Sequence, residues 1–317
     1  MSTRWSRRAA GVVGGMIWDR VLGEPPLRWH PVAAFGTVMT GLERHVWADA
    51  RLPGVGYAMT GAAIGAGAGA LVGSVAVALG VCASGTEVRR VAGQIEAALR
   101  SGDLERARGA LPSLVGRDPS ELDESQICAA VIESLAENTV DAVIAPLLWA
   151  WCWGAPGAGA YRAINTMDAM VGHHSDRFEH FGWAAARADD VANYVPARVF
   201  ALLVAMSTPS KATLVWRIAT RDAAAHPSPN AGVAESAVAA ALGLRLGGTL
   251  RYGQRVEHRP MLGEGSPPEP ADVTRAIALT ARTERLATLG AGLVAVVWPL
   301  ASARGTARGA LHLSRAT

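Results

Sequence analysis

Three acidic residues recur at every fourth position in the middle of the chain: Glu133, Glu137 and Asp141. If this segment is helical, the three side chains lie on one stripe of its surface. Like charges at this spacing repel one another by roughly 0.2–0.5 kcal/mol per pair, so the stripe requires a cation nearby. An uncharged segment, Ala142 to Tyr161, follows directly. A carboxylate row at the edge of an apolar segment indicates a functional site.

Two further acidic clusters follow the uncharged segment. Asp168 lies in otherwise apolar sequence, where an unpaired charge is costly. A structural ion pair with a residue such as Arg162 is an alternative to a functional role. Asp189 and Asp190 are adjacent, and one of them is equally well explained as a helix N-cap with a second carboxylate beside it.

The composition is typical of a membrane protein. Half of the residues are hydrophobic and only 18% are charged, against about 25% in an average soluble domain. The segment from Leu52 to Thr86 has no charge, and one span requires about 20 apolar residues. Glycines at every fourth position predict a face that packs closely against another helix; they are Gly61, Gly65, Gly69 and Gly73. The alternative is a buried helix of a large soluble protein.

Other apolar segments predict a multi-pass arrangement. Residues 286–303 form a second candidate span, while shorter segments fit re-entrant or protein-buried helices better than independent spans; these are 9–18, 142–153, 199–207 and 236–244. We expect an all-α integral membrane protein with about four to five membrane-associated helices in one domain, 1–317. The N-terminal apolar segment is interrupted by Asp19 and Arg20, so we expect no cleavable signal peptide.

Residues 87–125 are polar and rich in arginine. This pattern predicts a cytoplasmic helical insertion between membrane segments, with a turn at Gly102-Asp103. The arginines are dispersed along the chain and do not alternate with aromatic residues, so we expect no nucleic-acid binding. We also expect a kink or break at Pro146, a flexible break at 154–159 and a loop from Gly247 to Pro270.

Six ordered motifs carry a family resemblance. Four of them are ESLAENTVD at 133–141, NTMDAMVG at 165–172, ADDVANYVPAR at 188–198 and SPNAGVAE at 228–235. The other two are Gly23-Glu24-Pro25 with His30-Pro31, and Gly116-Arg117-Asp118. Together they closely resemble the cobalamin-biosynthesis membrane protein family, the cobinamide or adenosylcobinamide-phosphate synthases. Glu24 stands where Asp is common in that family.

The resemblance implies a membrane ligase acting late in cobalamin assembly. It would join adenosylcobyric acid, a corrinoid substrate, to (R)-1-amino-2-propanol or its phosphate, with ATP and Mg²⁺ as cofactors. The active site is expected on the cytoplasmic side of the cell membrane. Membrane lipid, other late cobalamin-assembly enzymes and a second copy of the chain are the expected partners.

The polar residues of the motifs are the candidates for this chemistry. Catalysis is assigned to Asp141, Glu137 and Asp190, and metal binding to Glu133, Glu137, Asp141, Asp189 and Asp190, because Mg²⁺ prefers carboxylate oxygens. Substrate or nucleotide binding is assigned to arginines, amides and nearby polar residues; these are Arg117, Asn138, Arg162, Asn165, Asp168, Asn193, Arg198, Arg221, His226, Asn230 and Glu235. No glycine-rich phosphate loop is present, so ATP binding follows from the resemblance alone.

The sequence also sets a condition on topology. If residues 142–153 crossed the membrane fully, the stripe at 133–141 and the acidic residues at 168–190 would lie on opposite sides. The segment is short and contains Pro146, so we expect a re-entrant or bundle-buried helix that lets all motifs converge.

Two other functions remain as alternatives. The sequence Asp189-Asp190-x-x-Asn193 loosely resembles the acidic motif of Mg²⁺-dependent polyprenyl transferases, although a second aspartate-rich motif is missing. A non-enzymatic corrinoid-binding membrane scaffold, with carboxylates that hold helices together, is the other.

Overall fold

A computed structural model describes residues 2–25, 27–116, 118–173, 175–252 and 255–313. The chain is helical, as predicted, and its α-helices are α1 (Ser2–Leu22), α2 (Pro31–Val46), α3 (Arg51–Val72), α4 (Val75–Cys82), α5 (Gly85–Arg100), α6 (Leu104–Ala110), α7 (Glu124–Thr139), α8 (Ala145–Trp153), α9 (Ala155–Met167), α10 (Trp183–Ser207), α11 (Ala212–Asp222), α12 (Ala231–Leu242) and α13 (Pro270–Leu313). Two π-helical segments, Val140–Ile144 and Asp168–Gly172, continue α7 and α9.

One part of the predicted loop from Gly247 to Pro270 is a β-hairpin. The strands β1 (Leu246–Tyr252) and β2 (Arg255–Leu262) pair antiparallel, with Leu246 opposite Leu262 and an irregularity before Gly248. The loop prediction was wrong here. Adjacent glycines usually indicate a turn, but Gly247 and Gly248, with φ angles of 89° and 99°, form the irregularity within β1.

The predicted glycine face of α3 is confirmed, and α9 is the helix that packs against it. A Cβ on Gly65 would lie 2.4 Å from the carbonyl oxygen of Gly159, and one on Gly69 would lie 2.2 Å from that of Ala155. These backbones touch directly, which side chains larger than hydrogen would prevent. Gly73 has a different role, because it ends α3 with a left-handed φ of 67°.

The expected flexible break at 154–159 is confined to one residue. Gly154, with φ 76° and ψ −155°, turns the chain between α8 and α9. Gly157 and Gly159 belong to α9, where their lack of a side chain allows contact with the Trp149 and Gly65 carbonyls respectively. The prediction of a flexible segment was wrong because these glycines serve close packing rather than bending.

Two prolines inside apolar helices each leave one backbone carbonyl without its helical hydrogen bond. In both cases a neighbouring element donates a hydrogen bond to that carbonyl. Pro146 cannot donate to the carbonyl of Ala142, which accepts a bond of 3.1 Å from the Ser84 amide. Pro196 lies within α10 and likewise frees the carbonyl of Ala192, which accepts from the indole of Trp149 at 3.2 Å. These bonds join α8 and α10 to their neighbours around the site.

The helical prediction for 87–125 is confirmed up to Ser113, with the turn at Gly102 and an N-cap at Asp103, whereas the described residues between Ser113 and Glu124 are not helical. Its first helix, α5, shares a core with α7 and α13, through side chains such as Ile95, Ile127 and Leu279. The insertion therefore packs onto the main body of the protein. Its cytoplasmic location remains a prediction.

Within the described residues, α3 is long and apolar enough to cross a membrane. Helix α10 and the segment Pro209–Ala225 are also long and apolar enough when taken together, although the chain bends by 113° between them. This is fewer than the expected four to five membrane-associated helices by length and composition. The predicted second span, 286–303, falls inside α13, and the side chains from 298 onward lie outside the described part. Only 28% of the apolar window of α3 is buried, whereas the core helix of a soluble protein is mostly buried.

Candidate functional site

A cavity of about 490 Å³ collects the acidic residues of three motifs. Its carboxylates come from α7, from both π-helical segments, from the segment before α10 and from α10 itself; they are Glu137, Asp141, Asp168, Glu179, Asp189 and Asp190. We call this the acidic cavity. The predicted convergence is confirmed for these motifs, because α8 has nine residues and extends only about 14 Å before α9 returns. It does not extend to the early motif, whose Pro31 lines a different cavity. A helix of that length cannot separate the motifs across a bilayer core of about 30 Å.

Two of the carboxylates stand in π-helical turns. Asp141 is the second residue of Val140–Ile144, and Asp168 is the first of Asp168–Gly172. A π-helical turn inserts an extra residue into a helix and redirects the side chains that follow, and such turns occur often at functional sites. The first turn immediately precedes Pro146, which weakens the regular α-helical bonding there. Both insertions therefore aim a carboxylate at the same cavity.

Amide side chains fix the position of Asp189. Asn165 donates to one of its carboxylate oxygens at 3.2 Å, and Asn193 donates to the other at 2.9 Å. The hydroxyl of Tyr161 donates to the amide oxygen of Asn193 at 2.8 Å and so sets the orientation of that amide. Asn165 also lies beside Asp141, where its amide lowers the pKa of that carboxyl group against the effect of burial. The two asparagines were predicted as ligand-binding residues, and the geometry gives them contacts to the carboxylates.

The acidic cavity strongly favours protonated carboxyl groups. Burial raises the pKa of Asp141 well above its usual value, and the charges of Asp189, Glu137 and Asp168 raise it further against the opposing bond from Asn165. Burial, together with neighbouring carboxylates, raises the pKa of Asp168 to about 7. A site that resists negative charge in this way is poised to take up protons or a cation.

The donor set fits Mg²⁺ chemically. The cavity offers carboxylate oxygens and asparagine oxygens, the hard ligands that Mg²⁺ selects, and no thiol is among its lining residues. Among the described residues, no three acidic, histidine or cysteine side chains form a ready-made metal cage. Mg²⁺ in enzymes is commonly held by one or two carboxylates with water and substrate phosphates, so the absence of a three-residue group does not conflict with this fit.

Raising the pH in the absence of divalent cations is expected to destabilise the protein. The folded pKa of Asp168, about 7, exceeds the value of about 3.9 for an unfolded aspartate. The folded state therefore binds more protons, and stability falls between about pH 4 and pH 7. Unfolding temperatures in detergent should drop less over this range for Asp168→Asn than for the unchanged protein. Equal pH dependence in both proteins would contradict the assignment.

The predicted stripe divides between two environments. Glu137 and Asp141 line the acidic cavity, whereas Glu133 is buried and accepts a 2.9 Å hydrogen bond from the amide of Gly247 in the hairpin. The division arises because the hairpin packs against α7 beside Glu133, and the π-helical turn changes the direction of Asp141. Glu133 thus holds the hairpin in place, a role that helical spacing alone does not distinguish from metal binding.

Asp189 and Asp190 are not N-caps. Helix α10 begins at Trp183 after Gly182, so both aspartates lie in its second turn. The carboxylate of Asp190 pairs with Arg187 at 2.9 Å, and its backbone carbonyl accepts from Asn230 at 2.8 Å. The N-cap alternative was wrong because the helix starts six residues earlier than the acidic pair.

The motif at 228–235 forms part of the cavity wall. Asn230 lines it, and Arg198 donates to the Asn230 amide oxygen at 2.9 Å while its guanidinium lies 3.7 Å from the ring centroid of Tyr194. His226 and Glu235 are both buried, with 3.7 Å between the His226 Nε2 and a Glu235 carboxylate oxygen. Burial lowers the pKa of His226. Arg198, His226 and Glu235 are not among the residues that line the acidic cavity; they lie behind Asn230, which is.

The remaining predicted residues lie elsewhere. Asn138 donates to the backbone and hydroxyl of Ser134 in its own helix. Arg221 pairs with Asp222 and Glu264. Arg162 lines a different cavity and forms no ion pair with Asp168 among the described contacts, and Arg117 lies outside the described residues.

Sequence reasoning missed the residues at the mouth of the acidic cavity. Arg51 begins α3 and lies over the ring of Trp183, the first residue of α10, at 4.9 Å. Arg187 and His180 line the same cavity. Trp183, Arg187 and Asp190 are spaced by four and three residues, a helical pattern that was available as a signal, whereas Arg51 is brought near only by the fold.

Comparisons with known proteins agree with these motifs. The profile of the family described as CobD/Cbib protein matches residues 12–280. A cobalamin biosynthesis protein CobD of Mycobacterium tuberculosis (strain ATCC 25618 / H37Rv) is 44% identical over 312 residues, covering 93% of this chain and 97% of that protein. Another of Geobacter metallireducens is 40% identical over 286 residues, covering 84% and 89%. No solved structure is significantly similar to the chain.

The matched region contains every carboxylate of the acidic cavity, together with the asparagines that hold Asp189. The resemblance drawn from the motifs is therefore confirmed over most of the chain. The protein belongs to the CobD/CbiB family of cobalamin biosynthesis proteins.

Proposed function

We propose that the protein is a membrane ligase that forms the amide bond of cobinamide. It would join the propionate carboxylate of adenosylcobyric acid to (R)-1-amino-2-propanol or its phosphate, with consumption of ATP. The observation that carries this proposal is the acidic cavity, in which six carboxylates converge, one of them held by two asparagines, in a chain of the CobD/CbiB family. Corrinoid substrates follow from that family.

The reaction requires activation of a carboxylate. Amide formation directly from a carboxylate is unfavourable because oxide is a poor leaving group. Transfer of the terminal phosphoryl group of ATP to the propionate would give an acyl phosphate and ADP. The amine then attacks the acyl carbon, and inorganic phosphate leaves as the amide forms.

The carboxylates of the cavity divide this work. Mg²⁺, when bound, would neutralise phosphate charge during the transfer. One or two of the carboxylates of Glu137, Asp141 and Asp190 would provide its protein ligands, with water and phosphate oxygens as the others. Asp168 has a pKa of about 7, which suits a general base that removes a proton from the attacking ammonium near neutral pH. Asp189 is held by two asparagines and would fix the positions of the neighbouring carboxylates.

The cavity also carries two exposed arginines beside its carboxylates. Arg51 and Arg187 are arginines on different helices, and guanidinium groups bind phosphate oxygens in pairs. Carboxylates together with arginines suit a phosphate–metal complex, in which the arginines would bind phosphate and the carboxylates the metal. Asn230 at the wall offers an amide to the amide groups that surround a corrin ring.

A membrane location accompanies this function. Helix α3 is apolar over a length sufficient to span, and its outward side chains include Leu52, Met59 and Leu71, which are largely exposed. Burial of this surface in lipid is favourable. The acidic cavity lies at the Arg51 end of α3, which we place at the cytoplasmic face. Association with other late cobalamin-assembly enzymes, or with a second copy, would occur there.

Reconstitution tests the proposal. The purified protein in detergent is incubated with adenosylcobyric acid, ATP, Mg²⁺ and each amine in turn, and the products are identified by mass spectrometry. ATP-dependent formation of one cobinamide product is expected. Absence of product with both amines, together with retained corrinoid binding, would favour a scaffold instead. Turnover of a labelled polyprenyl diphosphate would favour a prenyl transferase.

A further inference from the structure

A second cavity, of about 350 Å³, lies among α2, α3, α4 and α9. It shares no lining residue with the acidic cavity. Its walls are mostly aliphatic and small, with Phe35 as the largest apolar side chain. Arg162 is the one charged residue among the described residues that line it. We call it the apolar groove.

Arg162 has no anionic partner within the described part of the chain. Its Nε is buried and donates no hydrogen bond, and no ion pair involves its guanidinium. The neighbouring Thr166 hydroxyl donates to the backbone carbonyl of Arg162 and not to its side chain. The residue as a whole is partly exposed, so the rest of its guanidinium is accessible. A partly buried guanidinium without a counter-charge favours binding of an anion.

The groove also opens beside the surface of α3 that is expected to contact lipid. Three of its lining side chains, Val38, Ile64 and Val72, are between 40% and 57% exposed. Ile64 and Val72 belong to the candidate span, and Val38 to the adjacent α2. A ligand with a long apolar part can thus enter sideways from the bilayer.

We propose that the apolar groove binds an anionic membrane lipid, with its phosphate on Arg162 and an acyl chain along α3 and α4. Charge complementarity selects the anionic headgroup, and the aliphatic walls select the chain. This inference rests on the proposed membrane placement of α3, but not on the proposed reaction, because the groove and the acidic cavity are lined by different residues. Arg162 thereby leaves the set of substrate-binding candidates.

Lipid titration by native mass spectrometry tests this assignment. The purified full-length protein is titrated with phosphatidylglycerol and with phosphatidylcholine of identical acyl chains. We expect about tenfold tighter binding of the anionic lipid, the order of magnitude of a charge-assisted hydrogen bond. Arg162→Met should remove the preference. Ala68→Leu, which narrows the groove at an exposed position of α3, should weaken binding of both lipids.

Arg106→Met is the matched control, since Arg106 is an exposed arginine of α6 outside the groove. It should bind both lipids as the unchanged protein does. Retention of the phosphatidylglycerol preference by a folded Arg162→Met variant would overturn the proposal. Competition by inorganic phosphate at equal concentration would also overturn it, because the anion would then be soluble rather than lipid.

Discussion

Replacing Asp141 with asparagine is expected to abolish formation of the cobinamide product while the protein stays folded in the membrane. Asp141 is aimed into the acidic cavity by a π-helical turn and lies among three other carboxylates. Asparagine keeps the shape of the side chain but removes the charge that would bind metal. Loss of one group that stabilises charge at a site typically lowers the rate by about 10²–10³-fold.

The physical reason for retained folding is the raised pKa of Asp141. A carboxyl group whose burial disfavours ionisation destabilises the folded state when charged, so its removal should leave the unfolding temperature unchanged or higher. Activity is read by mass spectrometry and folding by thermal unfolding in detergent. Glu105→Gln provides the control, because the Glu105 side chain is 82% exposed on α6. Near-normal product from Asp141→Asn would contradict the assignment.

Replacing Gly65 with alanine is expected to destabilise the protein, whereas the same change at Gly67 should stabilise it. A Cβ at Gly65 would lie 2.4 Å from the Gly159 carbonyl oxygen and 2.6 Å from the Ala163 Cβ. Such overpacking costs about 1–3 kcal/mol. At Gly67 nothing lies within 4 Å of the new atom, so the higher helix propensity of alanine adds up to about 1 kcal/mol.

The effect at Gly65 should also reach the site. Helix α9 carries Asn165 and leads directly to Asp168, so displacement of α9 from α3 moves both relative to Asp141. Gly65→Leu, with a larger side chain, is expected to prevent recovery of folded protein. The measurements are unfolding temperature, yield of monodisperse protein and product formation. Equal unfolding temperatures for the two alanine variants would contradict direct packing of α3 on α9.

Several features of the site were predictable because they depend on local chemistry. Carboxylates at helical spacing, the asparagines beside them and the glycines of α3 each have a meaning that spacing alone conveys. The return of the chain through α8 and α9 also followed from length, because nine residues of helix cannot cross a bilayer. The ordered motifs were sufficient to indicate the family.

Other features depended on which elements pack together. Helical spacing placed Glu133 beside Glu137, but in the fold the Glu133 carboxylate accepts a hydrogen bond from the Gly247 amide of the hairpin. Arg162 was a plausible partner of Asp168 by sequence distance, yet it lies on the face of α9 that lines the apolar groove. The hairpin itself was missed because its glycines carry a turn signal in either conformation.

The sequence by itself determined the chemical groups, their helical stripes and the family to which they belong. These are properties of side-chain type and of the short-range periodicity of the backbone. Only the tertiary structure decided that Glu137, Asp141, Asp168, Asp189 and Asp190 share one cavity and that Arg162 faces another. The reason is that contacts between distant segments depend on close packing of α9 against α3 and on two π-helical turns, each of which redirects a carboxylate by a single inserted residue.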